Sequence, residues 1–399
     1  MTTHTGTTTH PHLLANYARA PITIVRGEGC WLFTDTGEMY LDLVAGIAVC
    51  ALGHARPEIT RVIAEQAGRL LHASNLYFNE PSGALASALA DVSGFGRVFF
   101  CNSGTEANEA AIKFARKRAF RKGELDRATI LACTGSFHGR TLGSLAATDN
   151  ARYHEGFGPL PAGFAFTPFD DFVALEKNVD AATAAVIIEP VQGESGVHVA
   201  SKAFLQRARE LCDERGALLI FDEIQCGLGR MGTAFAFNYF GVRPDLVTLG
   251  KSIANGLPIG AMLVDESLAA VFQPGDHGST FGGSPVPCAA ALEHLRLRKE
   301  LQLDAHVKRV GALLFDGLSA LAEDFSHIFE APRGAGLILG LPVKAPYEAR
   351  AISDGARERE RVLINAAANN TLRFVPPLVI TEDEVRDGLE RLRVCVKTS

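Results

Sequence analysis

Three short segments place groups capable of chemistry directly after apolar runs. Asn102-Ser103-Gly104-Thr105-Glu106 follows Arg97–Cys101, and Ala107, Ala110, Ala111, Phe114 and Ala115 then recur at helical spacing. A glycine and a hydroxyl residue at a helix N-terminus offer free backbone amides and a positive dipole to an anion, though the same residues also make an ordinary N-cap. Asp222-Glu223 closes the run 217–221. A carboxylate there is costly unless a cation meets it, whether a ligand or a salt-bridge partner. Lys251 closes the run 246–249 inside Thr248-Leu249-Gly250-Lys251-Ser252, the only one of ten lysines so placed. A partly desolvated lysine has a lowered pKa and can form a Schiff base, whereas one satisfied at a loop start does neither.

The elements that must position these groups show in the periodicity. Runs 97–101, 184–188, 217–221 and 246–249 are apolar without alternation, and 203–215 is helical by its Phe204, Leu205, Ala208 and Leu211 spacing. This pattern predicts an α/β fold with a mostly parallel sheet covered by helices on both faces, its ligand lying beyond the carboxyl ends of the strands. Residues 22–43 read as a small antiparallel meander. Residues 286–323 read as helices, followed by short strands and a last helix near 382–396. The expected domains are an N-terminal segment 1–57 joining the smaller domain, a large domain 58–285, and a C-terminal α+β domain 286–399.

With 399 residues, 47% hydrophobic and 21% charged, the chain can bury a large core. A net charge of −6 without a basic block argues against nucleic acid as a partner. The longest apolar stretch, 43–53, is too short to span a bilayer, so no membrane association is expected. The eight cysteines form no Cys-x-x-Cys pair and read as free thiols of a cytoplasmic protein. The Thr- and His-rich segment 1–12 has no apolar targeting region, and its His10 and His12 are poorly placed to build a metal site.

An anion cup, a carboxylate and a lysine at three neighbouring strand ends meet the needs of one ligand. Pyridoxal 5'-phosphate has a phosphate to anchor, a ring nitrogen best kept protonated and an aldehyde that condenses with an amine. Further segments, in order, are 46–49 (GIAV), 74–77 (SNLY), 103–108 (SGTEAN), 137–141 (FHGRT), 189–194 (EPVQGE), 222–225 (DEIQ), 250–262 (GKSIANGLPIGAM), 278–285 (GSTFGGSP) and 373–378 (RFVPPL). By this set, from about Tyr17 to the C-terminal helix, the chain resembles the class III pyridoxal-phosphate aminotransferases of fold type I. It is nearest to their acetylornithine branch.

The resemblance implies that Lys251 is the Schiff-base lysine, Asp222 the partner of the pyridinium nitrogen, and Gly104 and Thr105 the phosphate cup. It implies that Phe137 stacks on the ring and that Gln225 lies near the phenolic oxygen. Thr280 resembles a threonine that reaches the phosphate from the neighbouring subunit, which implies a homodimer with composite sites. Arg140, assisted by Tyr17, resembles the arginine that binds a substrate carboxylate, and Ser279 matches a substrate-contacting position. Glu194 and Arg373 resemble a switch pair. Two departures stand out. Ser195 replaces a glycine usual in the family, and Ile47 stands where ornithine aminotransferases tend to carry a tyrosine, which tilts the choice toward an N-acylated substrate. The activity implied is transamination of N-acetylornithine with 2-oxoglutarate, giving N-acetylglutamate 5-semialdehyde and glutamate, in arginine biosynthesis. The alternatives are succinylornithine, succinyl-diaminopimelate, ornithine or 4-aminobutyrate as donor, an aminomutase on the same fold, or a cofactor-binding protein without chemistry.

Overall fold

The computed structural model describes residues 12–397. His10 lies outside that range, and His12 is exposed. Seven strands form the central sheet: β1 Arg97–Cys101, β2 Thr129–Cys133, β3 Phe164–Thr167, β4 Thr183–Ile188, β5 Leu218–Asp222, β6 Leu246–Leu249 and β7 Gly260–Val264. Their order is β1-β7-β6-β5-β4-β2-β3, and only β7 runs antiparallel to its neighbours. The expected apolar runs are therefore strands of one mostly parallel sheet. One expectation needs correction. The strand ends carrying Gly104 and Lys251 are not neighbours, because β7 lies between β1 and β6. Residues 250–259 are too few for the dozen-residue crossover a parallel return requires, so β7 can only come back antiparallel. Its apolar run, Gly-Ala-Met-Leu-Val, is silent about direction.

Alternation along each strand splits the sheet's side chains between two apolar layers. Ile130, Ile187, Ile220 and Met262 face α3 (Gly104–Arg121) with its Ala111, Phe114 and Ala115. Leu131, Val186, Leu219, Phe221 and Leu263 belong to the opposite layer, with Phe204, Leu205, Ala208 and Leu211 of α4 (Lys202–Arg215). Two earlier helices, α1 Pro57–Arg69 and α2 Glu80–Ser93, pack on α5, Pro285–Glu300. The expected helical stretch 286–323 is two helices. The chain breaks at Gln302, which has φ +49°, before the helix Leu303–Asp324.

A second, antiparallel sheet is built from β8 Arg333–Ala335, β9 Ile338–Pro342, β10 Asn365–Ala367 and β11 Thr371–Phe374, in the order β8-β9-β11-β10. The expected N-terminal meander is present as Ile24–Glu28, Trp31–Thr34 and Met39–Asp42. Val362–Leu363 joins it in parallel, so the N-terminal segment meets the C-terminal part of the chain.

The meander leads into a left-handed turn, in which Ala45, Ile47 and Ala48 have φ of +49°, +64° and +63°. Such angles are costly for residues with a Cβ, most of all for β-branched isoleucine. Asp42 holds the turn by accepting from the Val44 and Ala45 amides at 2.9 and 2.8 Å, while its other oxygen lies 2.7 Å from His54 Nε2. That hydrogen bond, helped by Cys50 and opposed by burial, raises the His54 pKa to about 9. A raised histidine pKa stabilises the fold fully below about 6.5, its unfolded value, and the stabilisation fades as pH climbs through the folded value. The melting temperature of the wild type should therefore exceed that of His54→Asn by a margin that shrinks between pH 6.5 and pH 9. A constant margin across that window, read by scanning calorimetry, would mean that His54 is neutral throughout.

Candidate active site

The carboxyl ends of β5 and β6 and the N-terminus of α3 open into one cavity of about 260 Å³. Gly104, Thr105, Phe137, Arg140, Glu194, Asp222, Gln225 and Lys251 all line it, so eight of the residues singled out in the sequence come together. His138, Gly139, Glu189 and Ile224 complete the lining.

Asp222 is 3% exposed and receives three donors. Asn108 Nδ2 donates to its Oδ2 at 2.7 Å, His138 Nδ1 lies 2.8 Å from the same oxygen, and the Ile224 amide donates to Oδ1 at 3.1 Å. The acceptor fixes Nδ1 as the protonated nitrogen of His138, whose Nε2 is buried without a partner among the described residues. Asn108 is held in turn. Its Nδ2 also donates to the His138 carbonyl at 2.7 Å, and its Oδ1 accepts from Thr248 Oγ1 at 2.7 Å. These donors satisfy the buried carboxyl oxygens, which would otherwise be costly to bury.

Lys251 begins a 3₁₀ turn, 251–254, in a left-handed conformation with φ +44°. Burial lowers its pKa, and Arg373 adds to that, while Glu194, Asp222 and Glu189 pull it back up. Glu189 accepts from the Phe137 amide at 2.7 Å and so fixes that aromatic residue. Burial, with the charges of Asp222 and Glu194, pushes the Glu189 carboxyl well above the usual range, against the pull of Phe137 N–H and Lys251.

The anion cup depends on close approach. Ser103 caps α3, and a Cβ on Gly104 would lie 2.7 Å from the Ile224 side chain. Gly139, at φ +140°, passes so near Thr105 that a Cβ would meet its hydroxyl at 2.1 Å. Thr105 Oγ1 lies 2.8 Å from Thr141 Oγ1 and accepts from the Arg140 amide at 3.3 Å.

The two arginines are held differently. Arg140 is exposed and has no carboxylate partner among the described residues; its guanidinium lies 3.5 Å from the Tyr153 ring centre. Arg373, on β11, is 1% exposed. Its Nη1 donates to Glu194 Oε1 at 2.7 Å, to the Gly193 carbonyl at 3.0 Å and to Gln225 Oε1 at 3.2 Å. Nε and Nη2 both donate to Asn365 Oδ1, on the neighbouring strand β10. Burial raises the Glu194 pKa, but Arg373, Lys251 and Gln225 together outweigh it, and the net shift is downward. The 193–196 loop is fastened to the small sheet, since Arg333 Nε donates to the Gly196 carbonyl at 2.8 Å and Asn369 Nδ2 to that of Ser195 at 2.8 Å. The Ser195 hydroxyl turns away to Gln192 Oε1 at 3.3 Å.

Three residues named from the sequence lie elsewhere in this chain. Ser279 and Thr280 line a separate cavity with Asn102 and His277; Ser279 Oγ accepts from Asn102 Nδ2 at 3.2 Å, and Thr280 is exposed. Tyr17 is 68% exposed and meets Arg19 instead. Asn108, His138, Thr248 and Glu189 were missed as a network. The one available signal was a polar Asn108 among the alanines of an otherwise apolar helix face.

An anion cup, a pre-oriented carboxylate and a desolvated amine around one cavity define a pyridoxal-phosphate enzyme of fold type I. The chain belongs to the class-III aminotransferases, whose sequence profile matches residues 14–396. It is 47% identical over 390 residues to the acetylornithine aminotransferase of Xylella fastidiosa strain Temecula1, covering 96% of this chain and 95% of that one. The acetylornithine aminotransferase of Methanocaldococcus jannaschii is 43% identical over 92% of each chain. Among solved structures, N-acetylornithine aminotransferase from Stenotrophomonas maltophilia superposes with a TM-score of 0.84 at 40% identity, over 96% of this chain and 97% of that one. Ornithine aminotransferase from Toxoplasma gondii gives 0.94 at 34% identity, over 97% and 93%. The cofactor is pyridoxal 5'-phosphate, and the donor set suits it: amides at Gly104–Thr105 for phosphate, Asp222 for the ring nitrogen, Lys251 for the aldehyde.

Asn108→Ala should strip Asp222 of one donor and leave the Thr248 hydroxyl unpaired. Each buried group left unsatisfied costs about 1–3 kcal/mol. Urea unfolding of the apoprotein should show a loss of that order; an unchanged midpoint would mean that the network contributes nothing to stability.

Proposed function

We propose that the enzyme transfers the terminal amino group of N-acetylornithine to 2-oxoglutarate, giving N-acetylglutamate 5-semialdehyde and glutamate. The observation that carries this is the division between the arginines: Arg140 is unpaired among the described residues, and Arg373 is neutralised by Glu194. A donor whose single carboxylate lies far from its reacting amine needs only Arg140. Glutamate and 2-oxoglutarate carry a second carboxylate beside the reacting carbon, and Arg373 meets it once Glu194 swings aside. The relatives called acetylornithine aminotransferases, 43–47% identical, support this donor. So does Ile47, which brings no hydroxyl for the polar end of free ornithine.

When bound, pyridoxal 5'-phosphate supplies the carbonyl that condenses with the amine and the ring that takes up the electron pair of the broken C–H bond. Lys251 Nζ, whose pKa burial lowers, would accept the proton from the donor's terminal carbon and deliver it, as an acid, on the cofactor side. Asp222, oriented by its three donors, would pair with the ring nitrogen and favour a proton there. Gly104 and Thr105 bind the phosphate, and Phe137 holds the ring. The enzyme on this account is cytoplasmic and works in arginine biosynthesis.

Comparing kcat/KM for acetylornithine, succinylornithine, ornithine, succinyl-diaminopimelate and 4-aminobutyrate tests the donor, and preference for any other than acetylornithine overturns it. Glu194→Ala tests the arginine pair. Asn365, Gly193 and Gln225 still hold Arg373 in that variant, so the loss should fall on selectivity rather than on folding. The single-turnover rate with acetylornithine should drop about tenfold relative to that with glutamate, roughly 1.4 kcal/mol. Equal losses in both half-reactions would make Glu194 structural.

The exposed Thr280, which does not line its own chain's cavity, supports a homodimer in which it completes the partner's phosphate site. Thr280→Ala should then weaken cofactor retention by about 1.5–3 kcal/mol, the worth of a hydrogen bond to a charged group. Full activity of a monomer at high dilution would refute the composite site.

A further inference from the structure

Arg140 poses a physical problem that Arg373 does not. A long cation at the mouth of a cavity has many rotamers, and ordering it only when substrate arrives weakens binding. A resident carboxylate would order it but would compete with the carboxylate it has to bind. The structure holds Arg140 by another means: its guanidinium carbon lies 3.5 Å from the centre of the Tyr153 ring and 5.4 Å from that of Phe137. The Tyr153 ring meets Phe137 edge-on, 6.1 Å between centres at 86°. A cation over an aromatic face is attracted without being neutralised, so its outward N–H groups stay free for an anion.

Tyr153 is itself firmly placed. It sits on the single turn 151–154, which Asn150 caps by accepting from the Arg152 amide at 3.1 Å. His154 Nε2 pins the turn to the carbonyls of Thr148, at 2.8 Å, and Leu145, at 3.0 Å. Thr148 is fully buried, and its hydroxyl accepts from the His138 amide at 2.9 Å. The ring under Arg140 and the histidine on Asp222 therefore hang from one residue. The Tyr153 hydroxyl has no hydrogen-bond partner among the described residues, which leaves the ring face as its evident contribution.

We propose that Tyr153 is the positioning residue for Arg140, fixing the distance between the carboxylate-binding guanidinium and Lys251 and so selecting donors by where their carboxylate lies. This rests on the assignment of Arg140 to the distant carboxylate, and the test separates the two. N-acetylputrescine is acetylornithine without its carboxylate. The wild type should show a much higher KM for it than for acetylornithine; equal values would overturn the Arg140 assignment and the proposal with it. Tyr153→Leu and Tyr153→Gln, each removing the ring, should raise KM for acetylornithine about three- to tenfold with little change in kcat, and leave N-acetylputrescine unaffected. Tyr153→Phe, which keeps the ring, should restore the wild-type KM. The dissociation constant of glutarate, by calorimetry, should rise in the same variants without any turnover. If the wild type discriminates but both ring-less variants match it, or if they lose both donors equally, Tyr153 does not position Arg140.

Discussion

A carboxylate sealed at the end of a buried strand is the constraint around which this molecule is arranged. Asp222 is accommodated in the interior because donors converge on it from a helix, a loop and its own strand end. Each donor then needs support. Asn108 is steadied by Thr248 on the next strand, and the His138 amide by Thr148. The network ties α3, β5, β6 and the loop after β2 into one piece, and the same piece carries the N-terminus of α3 and Lys251. On the proposed function, fold stability and cofactor chemistry draw on the same hydrogen bonds.

Around this fixed centre the chain holds its two arginines, Arg373 and Arg140, in opposite ways. Arg373 is buried, so its charge must be met at all times, and amide oxygens share that task with Glu194. Such a cation can release one carboxylate without being stranded, as the proposed alternation between a chain of methylenes and a carboxylate requires. Arg140 is at the surface, where water tolerates an unpaired charge, and only its direction needs to be set. Burial therefore decides which arginine receives a resident carboxylate and which an aromatic ring.

The sequence showed four of the sheet's seven strands because those runs are apolar without alternation, and it showed Lys251 and Asp222 because charged residues at such strand ends are conspicuous. It did not show β7 inserted between β1 and β6, since an apolar pentapeptide reads alike in both directions. Nor did it show Asn108 and His138 meeting at Asp222, because residues 30 and 114 positions apart in sequence come together only through the sheet order. Glu189 was visible as part of a motif, but its bond to the Phe137 amide was not. Motif matching supplied roles for Thr280 and Ser279 that periodicity could not, and the structure places both away from their own chain's cavity.

Backbone likeness and sequence likeness point in different directions here. The ornithine aminotransferase of Toxoplasma gondii superposes at a TM-score of 0.94 with 34% identity, whereas the acetylornithine enzyme of Stenotrophomonas maltophilia gives 0.84 with 40%. Both superpose closely on this chain, so the backbone carries little about the donor. On the proposed function donor choice rests on side chains, and the turn bearing Ile47 holds one on a rigid support. It holds a β-branched residue at φ +64°, clamped by Asp42 and His54. Asn255 then links the chain just beyond it to the turn of Lys251, accepting from the Leu52 amide at 2.7 Å and donating to the Gly53 carbonyl at 3.0 Å. Strain of this kind persists only where the surroundings over-determine the conformation. Here those surroundings run to the turn of Lys251, so a side chain exchanged at position 47 is held on a frame hydrogen-bonded to that turn.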